Sequence, residues 1–446
     1  MFLKSLGICS GFFYFNTMNI ANLHECFLAS NGVCTDTRKT KPGVLFFALK
    51  GANFNGNTFA KKALKQGAIA VVVDEPILDP SGRVFQVDDV LTCLQKLANF
   101  HRSLFDIPVI AITGTNGKTT TKELLFASMH NSKKTLCTEG NLNNHIGVPL
   151  TLLKITADHE FVIIEMGANK LGDISELCDI TNPTAGLITN VGKAHLGGFG
   201  DFEGVVKTKT ELYAFLHKKN GTIFVDENDT ILIQNLRPLS HVRTFTVGQS
   251  EKSSKPFHFE TIENTKNQAE VKYLDTTIKS KLIGNYNNNN IAAAITISLE
   301  HGININDIKK GIEAYIPTNN RSEFQVSSDN HIIWDAYNAN PSSVGLALQN
   351  LIQLKSELQK VAILGDMNEL GNYAEEEHKK VISLVSSNDI KAFYVGPQYG
   401  KLASTLHFNL AEDLMAYLTK NQIRNSLILI KGSRSIQLEK LRSLFK

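Results

Sequence analysis

Residues Thr113-Gly114-Thr115-Asn116-Gly117-Lys118-Thr119-Thr120 combine the side chains and spacing of a polyphosphate site. A short apolar run, 108–112, precedes them and reads as a buried strand; residues 121–130 follow and read as a helix. A glycine-bearing turn between a strand and a helix N-terminus presents backbone N–H groups to an anion, because those groups have no partner within the helix. Lys118 adds a cation for the phosphates, and the Thr119 hydroxyl is placed to ligate Mg²⁺. ATP and Mg²⁺ are the ligands this predicts. The spacing departs from the standard Gly-x-x-x-x-Gly-Lys loop. Ile112 stands where that pattern has its first glycine, and the glycines here are Gly114 and Gly117. A Gly-Lys-Thr tripeptide also occurs in ordinary strand-to-helix turns, so the flanking elements matter more than the tripeptide.

In open sheets of alternating strands and helices, ligands sit beyond the carboxyl ends of the strands. Glu165 ends the apolar run 161–164, Asn190 ends the run 185–190, and His195 lies in the glycine-rich segment that follows. Thr119, Glu165 and His195 are expected to converge on one metal–phosphate site, since Mg²⁺ prefers oxygen ligands. Taken singly, Glu165 fits either a ligand or a solvated loop carboxylate. His195 alone fits an ordinary loop histidine.

Three β/α blocks can position these groups. At 446 residues, 42% apolar and 20% charged, the chain is long enough for about three domains of a soluble enzyme. Its net charge of +3 predicts neither a nucleic-acid nor a membrane partner. Its six cysteines are scattered, with no Cys-x-x-Cys, which argues against zinc and disulfides and favours a reducing cytoplasm. Residues 1–17 carry one lysine ahead of an apolar stretch and no small-residue cleavage site; they read as a dispensable extension. The blocks are 18–105, 106–315 and 316–446. Strands are expected at 44–49 and 68–73 in the first, at 161–166, 185–190 and 222–225 in the second, and at 332–335, 361–364, 392–395 and 427–430 in the third. Helices are expected at 58–66, 203–216 and 289–300. Alternation of this kind predicts an α/β protein with parallel, doubly wound sheets in the second and third blocks. Residues 315–320, with Pro317 followed by asparagines, read as a hinge.

From residue 18 onward the chain resembles the Mur ligases. The 113–120 segment is similar to that family's own ATP loop. Gly140-Asn141-Leu142-Asn143-Asn144-His145-Ile146-Gly147-Val148-Pro149-Leu150-Thr151 and the segment 189–196 match its signatures. So do Asp335-Ala336-Tyr337-Asn338-Ala339-Asn340-Pro341, residues 365–371 and Lys431-Gly432-Ser433-Arg434. The resemblance implies three domains: a small uridine-nucleotide domain, a central ATPase domain and a carboxy-terminal Rossmann-like domain. It implies ATP contacts for Gly114, Thr115, Asn116, Gly117, Lys118, Thr119, Thr120, Asn287, Asn290, Arg321 and Asp335. It implies substrate contacts for Thr37, Arg38, Asn53, Asn141, Asn144, Tyr337, Asn338 and Asn340. A second metal would be held by Glu165, His195 and a carbamylated lysine. The helix 203–216 offers Lys207 and Lys209, and alignment of residues 211–213 with the family favours Lys209. On spacing alone either lysine would be a solvated charge. Two features depart from the family: Tyr286 replaces a histidine, and Asn320 precedes Arg321 where a glycine is usual.

The implied reaction is ATP-driven amide formation, joining D-alanyl-D-alanine to UDP-N-acetylmuramoyl-tripeptide through an acyl phosphate, by a monomeric enzyme. Lys118, Lys209, His195 and Glu165 are the expected catalytic groups. The rival readings are a sister ligase that adds a single amino acid, a folylpolyglutamate synthase, and a phosphate-loop ATPase without an acceptor. Segment 140–151 and the separate first block weigh against the folate reading.

Overall fold

Strand Val109–Thr113 is buried along its whole length. Such burial suits a central strand of a parallel sheet, whose two faces are both covered. It lies between Ala185–Ile188 and Phe161–Glu165, parallel to both. The computed structural model describes residues 19–445 apart from 80, 195, 239, 250–255, 263–267, 318–320 and 404–405. The extension 1–17, the boundary at Met18 and the last three residues of the expected hinge therefore lie outside the described residues.

The described chain divides into two compact units. The first comprises residues up to 106 together with 139–157 and 179–182; the second comprises 107–138, 158–178 and 183 onward.

In the first unit, four parallel strands run in the order Val33–Cys34, Leu45–Phe47, Ala70–Val73, Val84–Gln86. Helix Val90–Ser103 packs on Ile20–Leu28 and Gly147–Leu152. His101 ties these segments together. Its Nδ1 shares a 2.9 Å hydrogen bond with His24 Nε2, and its Nε2 lies 2.9 Å from the Ile155 carbonyl oxygen. The signature segment 140–151 is thus part of this unit, although it lies between two strands of the central sheet in sequence.

The second unit holds two sheets. The central one has nine strands, in the order Thr276–Ile283, Gln268–Tyr273, His258–Thr261, His241–Gly248, Thr222–Asp226, Ala185–Ile188, Val109–Thr113, Phe161–Glu165, Thr135–Cys137. Ile110, Ile112, Phe161 and Ile163 share an apolar core with Leu124 and Leu125 of helix Lys118–Met129, Ile291 and Ile295 of Asn288–Glu300, and Ile308 and Ile312 of Ile305–Ala314. Helix Phe202–Lys219 starts at a cap where the Asp201 carboxylate accepts from Gly204 N at 2.7 Å. Its Leu212 and Leu216 fill the space a Cβ at Gly186 would need.

The parallel pattern holds from Thr135–Cys137 across to His258–Thr261, and the last two strands are antiparallel. The alternation of helices does not reach them because a tight turn at Leu274-Asp275, with Leu274 at φ 52°, joins them directly. Burial in Thr276–Ile283 alternates over residues 278–282, as in a strand buried on one face only. The carboxy-terminal sheet orders Glu323–Ser327, Asn330–Trp334, Ser426–Lys431, Gln359–Gly365, Lys391–Val395, His407–Phe408, all parallel except the first. Apolar clusters cover both faces, one around Leu348 and Leu364, the other around Trp334 and Leu414.

Helix Ile305–Ala314 crosses the phosphate-loop helix at Gly311. A Cβ there would run into the Ala127 carbonyl oxygen and sit 2.7 Å from its carbon, both backbone atoms. Alanine gains about 1 kcal/mol over glycine in a helix interior. Overpacking against a fixed backbone costs about 1–3 kcal/mol. We therefore expect Gly311→Ala to lower the thermal midpoint of the central domain. A midpoint raised by the substitution, read by differential scanning calorimetry, would mean that the two helices do not approach this closely.

Candidate active site

The loop at the end of strand Val109–Thr113 turns on two left-handed glycines, Gly114 at φ 138° and Gly117 at φ 80°. Only glycine adopts these conformations freely. There is also no room for a side chain. A Cβ at Gly114 would strike the Thr189 hydroxyl, and one at Gly117 the Asn290 side-chain oxygen. The next strand end grips the loop from the other side. Thr189 Oγ1 donates to the Asn116 carbonyl at 2.6 Å, Asn190 Nδ2 donates to the same oxygen at 3.0 Å, and Asn116 N donates to Asn190 Oδ1 at 3.1 Å. Thr115 exchanges hydrogen bonds with the backbone of Gly192 at 3.0 and 3.2 Å.

Lys118 Nζ donates to the carbonyls of Gly114 and Thr115 at 2.7 and 3.0 Å. Burial pulls this lysine down to about 8; Arg321 adds to the effect and the Glu165 carboxylate opposes it. Thr119 and Thr120 follow in the first helical turn, half-buried.

Glu165 closes strand Phe161–Glu165 and is 2% exposed, so it is not a solvated loop carboxylate. Lys209 lies on the buried face of helix Phe202–Lys219, 3% exposed, with Nζ 5.6 Å from the centre of the Phe199 ring. Lys207 is exposed, as a position two residues away on a helix should be. Burial lowers Lys209 to about 7, with Lys118 the next contributor; Asp173 and Glu211 oppose it. Lys118, Glu165, Arg321 and Lys209 therefore share one electrostatic neighbourhood. Glu211 was not among the expected site residues. Its two carboxylate oxygens accept from Gly172 N and Ser175 N at 2.8 Å each, which ties the Lys209 helix to the turn beyond Glu165.

His195 lies outside the described residues. Among the described residues no group of three or more His, Cys, Asp or Glu side chains could hold a metal ion. A divalent cation here would rest on Glu165, the Thr119 hydroxyl and ligand oxygens. That sparse protein donor set fits Mg²⁺, which keeps most of its coordination for phosphate and water.

The carboxy-terminal sheet brings its own groups to this loop. Asn340 caps helix Pro341–Gln353, and its Nδ2 donates to Asn116 Oδ1 at 2.9 Å. Lys193 N donates to Ser342 Oγ at 2.9 Å. Asp335 accepts from Lys431 Nζ at 2.7 Å, and the same ammonium donates to the Asn338 carbonyl at 3.1 Å. The Asn338 side chain turns back to its neighbour, accepting from Ala339 N at 2.9 Å. The Arg321 guanidinium lies 3.6 Å from the centre of the Tyr337 ring, with Arg434 at 5.5 Å from it. Lys431 was recognisable in the sequence as a charge closing the apolar run 427–430.

Asn287 and Asn290 are buried and bonded within the chain. Asn287 Nδ2 donates to the Ile283 carbonyl at 2.8 Å, Asn290 Nδ2 donates to Asn287 Oδ1 at 2.9 Å, and Asn290 Oδ1 accepts from Thr121 at 3.1 Å. They lock helix Asn288–Glu300 onto the phosphate-loop helix. Tyr286 shares a 2.9 Å hydrogen bond with Ser322 next to Arg321, and burial raises its phenol.

In the first unit, Thr37 is buried just beyond strand Val33–Cys34. Arg38 is exposed and bound to Asp36 at 2.8 and 2.9 Å, which holds that carboxyl at about 2. Asn53 is exposed between the short strands Lys50–Gly51 and Phe54–Asn55. Asn141 is exposed, and Asn144 Oδ1 caps helix Gly147–Leu152 by accepting from Gly147 N at 2.8 Å. The sequence pattern did not mark Lys50, Asn57 and Asp74. Lys50 pairs with Asp74 at 3.0 Å and Asn57 donates to it at 2.6 Å, just past the carboxyl ends of Leu45–Phe47 and Ala70–Val73.

Three family descriptions match successive parts of the chain: "Mur ligase family, catalytic domain" at residues 30–102, "Mur ligase middle domain" at 112–298, and "Mur ligase, glutamate ligase domain" at 320–434. The UDP-N-acetylmuramoyl-tripeptide–D-alanyl-D-alanine ligase of Bacillus subtilis (strain 168) is 33% identical over 428 residues, covering 92% of each chain. Its namesake in Escherichia coli (strain K12) is 33% identical over 424 residues, again 92% of each. Among solved structures, MurF from Acinetobacter baumannii superposes with a TM-score of 0.84 at 28% identity, covering 96% of this chain and 98% of that one. MurF from Thermotoga maritima in complex with ADP does so with a TM-score of 0.79 at 27% identity, covering 94% and 97%. With its phosphate loop, its three domain types in order and this similarity along nearly its whole length, the chain belongs to the Mur ligase family.

Proposed function

We propose that this protein is an ATP-dependent, ADP-forming ligase that joins D-alanyl-D-alanine to UDP-N-acetylmuramoyl-tripeptide in peptidoglycan precursor synthesis. Relatives of that name match over nine-tenths of both chains. The observation that favours a ligase over a plain ATPase is Lys209. A phosphate loop that only hydrolyses ATP has no acceptor carboxylate to hold, and no use for a second buried lysine beside it.

The chemistry follows from leaving groups. A carboxylate resists an amine because oxide would have to leave. Transfer of the γ-phosphoryl group of ATP makes an acyl phosphate and ADP. The dipeptide amine then attacks the acyl carbon, the tetrahedral oxyanion collapses, and phosphate departs. Lys118 sits where it can neutralise charge developing on the transferred group. Mg²⁺, held through Thr119 and Glu165, would supply electrostatic screening between the two anions. Lys209 is suited to carbamylation, in which the neutral amine adds to CO₂ with loss of a proton. At an ordinary lysine pKa little neutral amine exists at pH 7; lowering it to about 7 raises that fraction by about three orders of magnitude. The carbamate would add an oxygen ligand beside Glu165 and His195.

The remaining assignments extend this reading. Residues 18–105 serve as the domain for the uridine nucleotide, through Thr37, Arg38 and Asn53. Residues 106–315 bind ATP and 316–446 complete the ligase site. Gly114 to Thr120, Arg321 and Asp335 face ATP, with Asn287 and Asn290 supporting the loop. Asn141, Asn144, Tyr337, Asn338 and Asn340 serve substrate. No described helix is long and apolar enough to cross a membrane. A cytoplasmic reaction suits the soluble nucleotide substrates.

Phosphate release should require both the muramoyl-tripeptide nucleotide and D-alanyl-D-alanine. Equal ATP turnover with neither present would favour the ATPase reading. Lys118→Ala should lower kcat by about 10²–10³ while the melting temperature holds. A folded variant with near-normal kcat would remove Lys118 from the phosphate site. Lys209→Ala should lose activity, with partial recovery on adding a short carboxylate, whereas Lys207→Ala should stay active. In bicarbonate-limited buffer, wild-type activity should rise with pH through about 7, as Lys209 loses its proton. Essential Lys207 with dispensable Lys209 would reverse this assignment.

A further inference from the structure

Lys122 is fully buried, one turn along the phosphate-loop helix from Lys118 and away from the loop itself. Burying an amine or ammonium is unfavourable unless its hydrogen bonds are met, and a leucine would serve a core position better. Its partners show what it holds. Nζ donates to the Thr138 carbonyl at 2.6 Å and pairs with Glu123 at 2.8 Å. Thr138 is itself fully buried, just past strand Thr135–Cys137, and its N donates to the Ile163 carbonyl at 3.0 Å. Its hydroxyl accepts from the backbone N of Glu165 at 3.0 Å. The chain of contacts therefore runs from Lys122 to the Thr138 carbonyl, and from the Thr138 hydroxyl to the main chain of Glu165.

We propose that Lys122 and Thr138 are positioning residues for Glu165, fixing the carboxylate that holds the divalent cation. The proposal rests on the reading of Glu165 as a metal ligand given above. The geometry explains why a hydroxyl is needed. Strand Thr135–Cys137 pairs with Phe161–Glu165 only as far as Ile163. Beyond that point the ladder has run out on this side, and Glu165 N is met by a side chain. Lys122 anchors Thr138 by its carbonyl, so the hydroxyl stays at the one place from which it can reach Glu165. Thr138 is also the last residue before segment 139–157 leaves for the other unit. Partners bonded to a ligating side chain itself commonly change metal affinity by about 10–100-fold when removed, and Thr138 acts one step back, on the main chain that carries the carboxylate.

The test measures Mn²⁺ binding by electron paramagnetic resonance in the presence of ADP, independent of turnover. Thr138→Val keeps the carbonyl that Lys122 holds and removes only the hydroxyl. It should weaken Mn²⁺ binding about tenfold or more, with ADP affinity in the absence of metal unchanged. Thr138→Ser restores the hydroxyl and should bind Mn²⁺ as the wild type does. Lys122→Met should weaken binding in the same direction; if it does not fold, the threonine pair decides. Glu165→Gln separates the two layers of the proposal. If Glu165→Gln loses Mn²⁺ while a folded Thr138→Val does not, Glu165 is a ligand and the positioning role is overturned. If neither loses it, the ligand reading fails along with the positioning role. Equal losses in Thr138→Ser and Thr138→Val would show that the hydroxyl is not what matters, and would also overturn the proposal.

Discussion

The catalytic edge is built around a loop that leaves no space for a Cβ at either of its glycines. Gly114 packs against Thr189 and Gly117 against Asn290. Close approach of this kind is what lets the backbone N–H groups of a strand-to-helix turn face an anion. It also commits the neighbours. Strand Ala185–Ile188 must end where Thr189 and Asn190 can bond Asn116, and helix Asn288–Glu300 must lie where Asn290 can meet both Gly117 and Thr121. The carboxy-terminal sheet joins the same arrangement through Asn340, whose amide reaches the Asn116 side chain from the cap of its own helix. One hydrogen-bonded loop thus fixes three elements distant in sequence.

Burial then sets the chemistry of the charges placed there. Lys209 moves from an ordinary lysine value to about 7, a difference of about 5 kcal/mol between its protonation states. A partly exposed ion pair returns about 1 kcal/mol at most. Asp173 and Glu211 therefore oppose the shift without cancelling it. Glu211 serves geometry instead, holding the turn after Glu165 with both oxygens. Burial pulls Lys118 down as well, to about 8, with the Glu165 carboxylate opposing the shift. Two lysines on different helices thus both sit closer to neutral pH than an exposed lysine does.

Several polar residues read as ligands in the sequence also bond to the chain itself. Asn287, Asn290, Asn144 and the side chain of Asn338 satisfy nearby backbone or one another. Such groups hold a site in shape. Asn340 does both, capping a helix with its oxygen and reaching the phosphate loop with its nitrogen. Tyr286 is half-buried and shares its hydroxyl with Ser322 beside Arg321.

The phosphate loop, the strands that flank it and the placing of Glu165 at a strand end are all legible in the order of the residues. Each of these is a local property: a glycine spacing, an apolar run, a charge that closes the run. The residue order shows the family as well, since the motifs are long and in order. It did not mark the antiparallel strands 268–283, because their burial depends on a partner hairpin and not on a helix between them. It could not place segment 140–151 in the first unit, which the His101 contact to Ile155 joins across 54 positions. On spacing alone Lys207 and Lys209 both read as solvated charges, only the family resemblance favoured Lys209, and nothing gave a reason to notice Lys122. That Lys209 is buried and Lys207 exposed is a product of packing, because desolvation is set by what surrounds a side chain, and the packing groups come from elements far away in sequence.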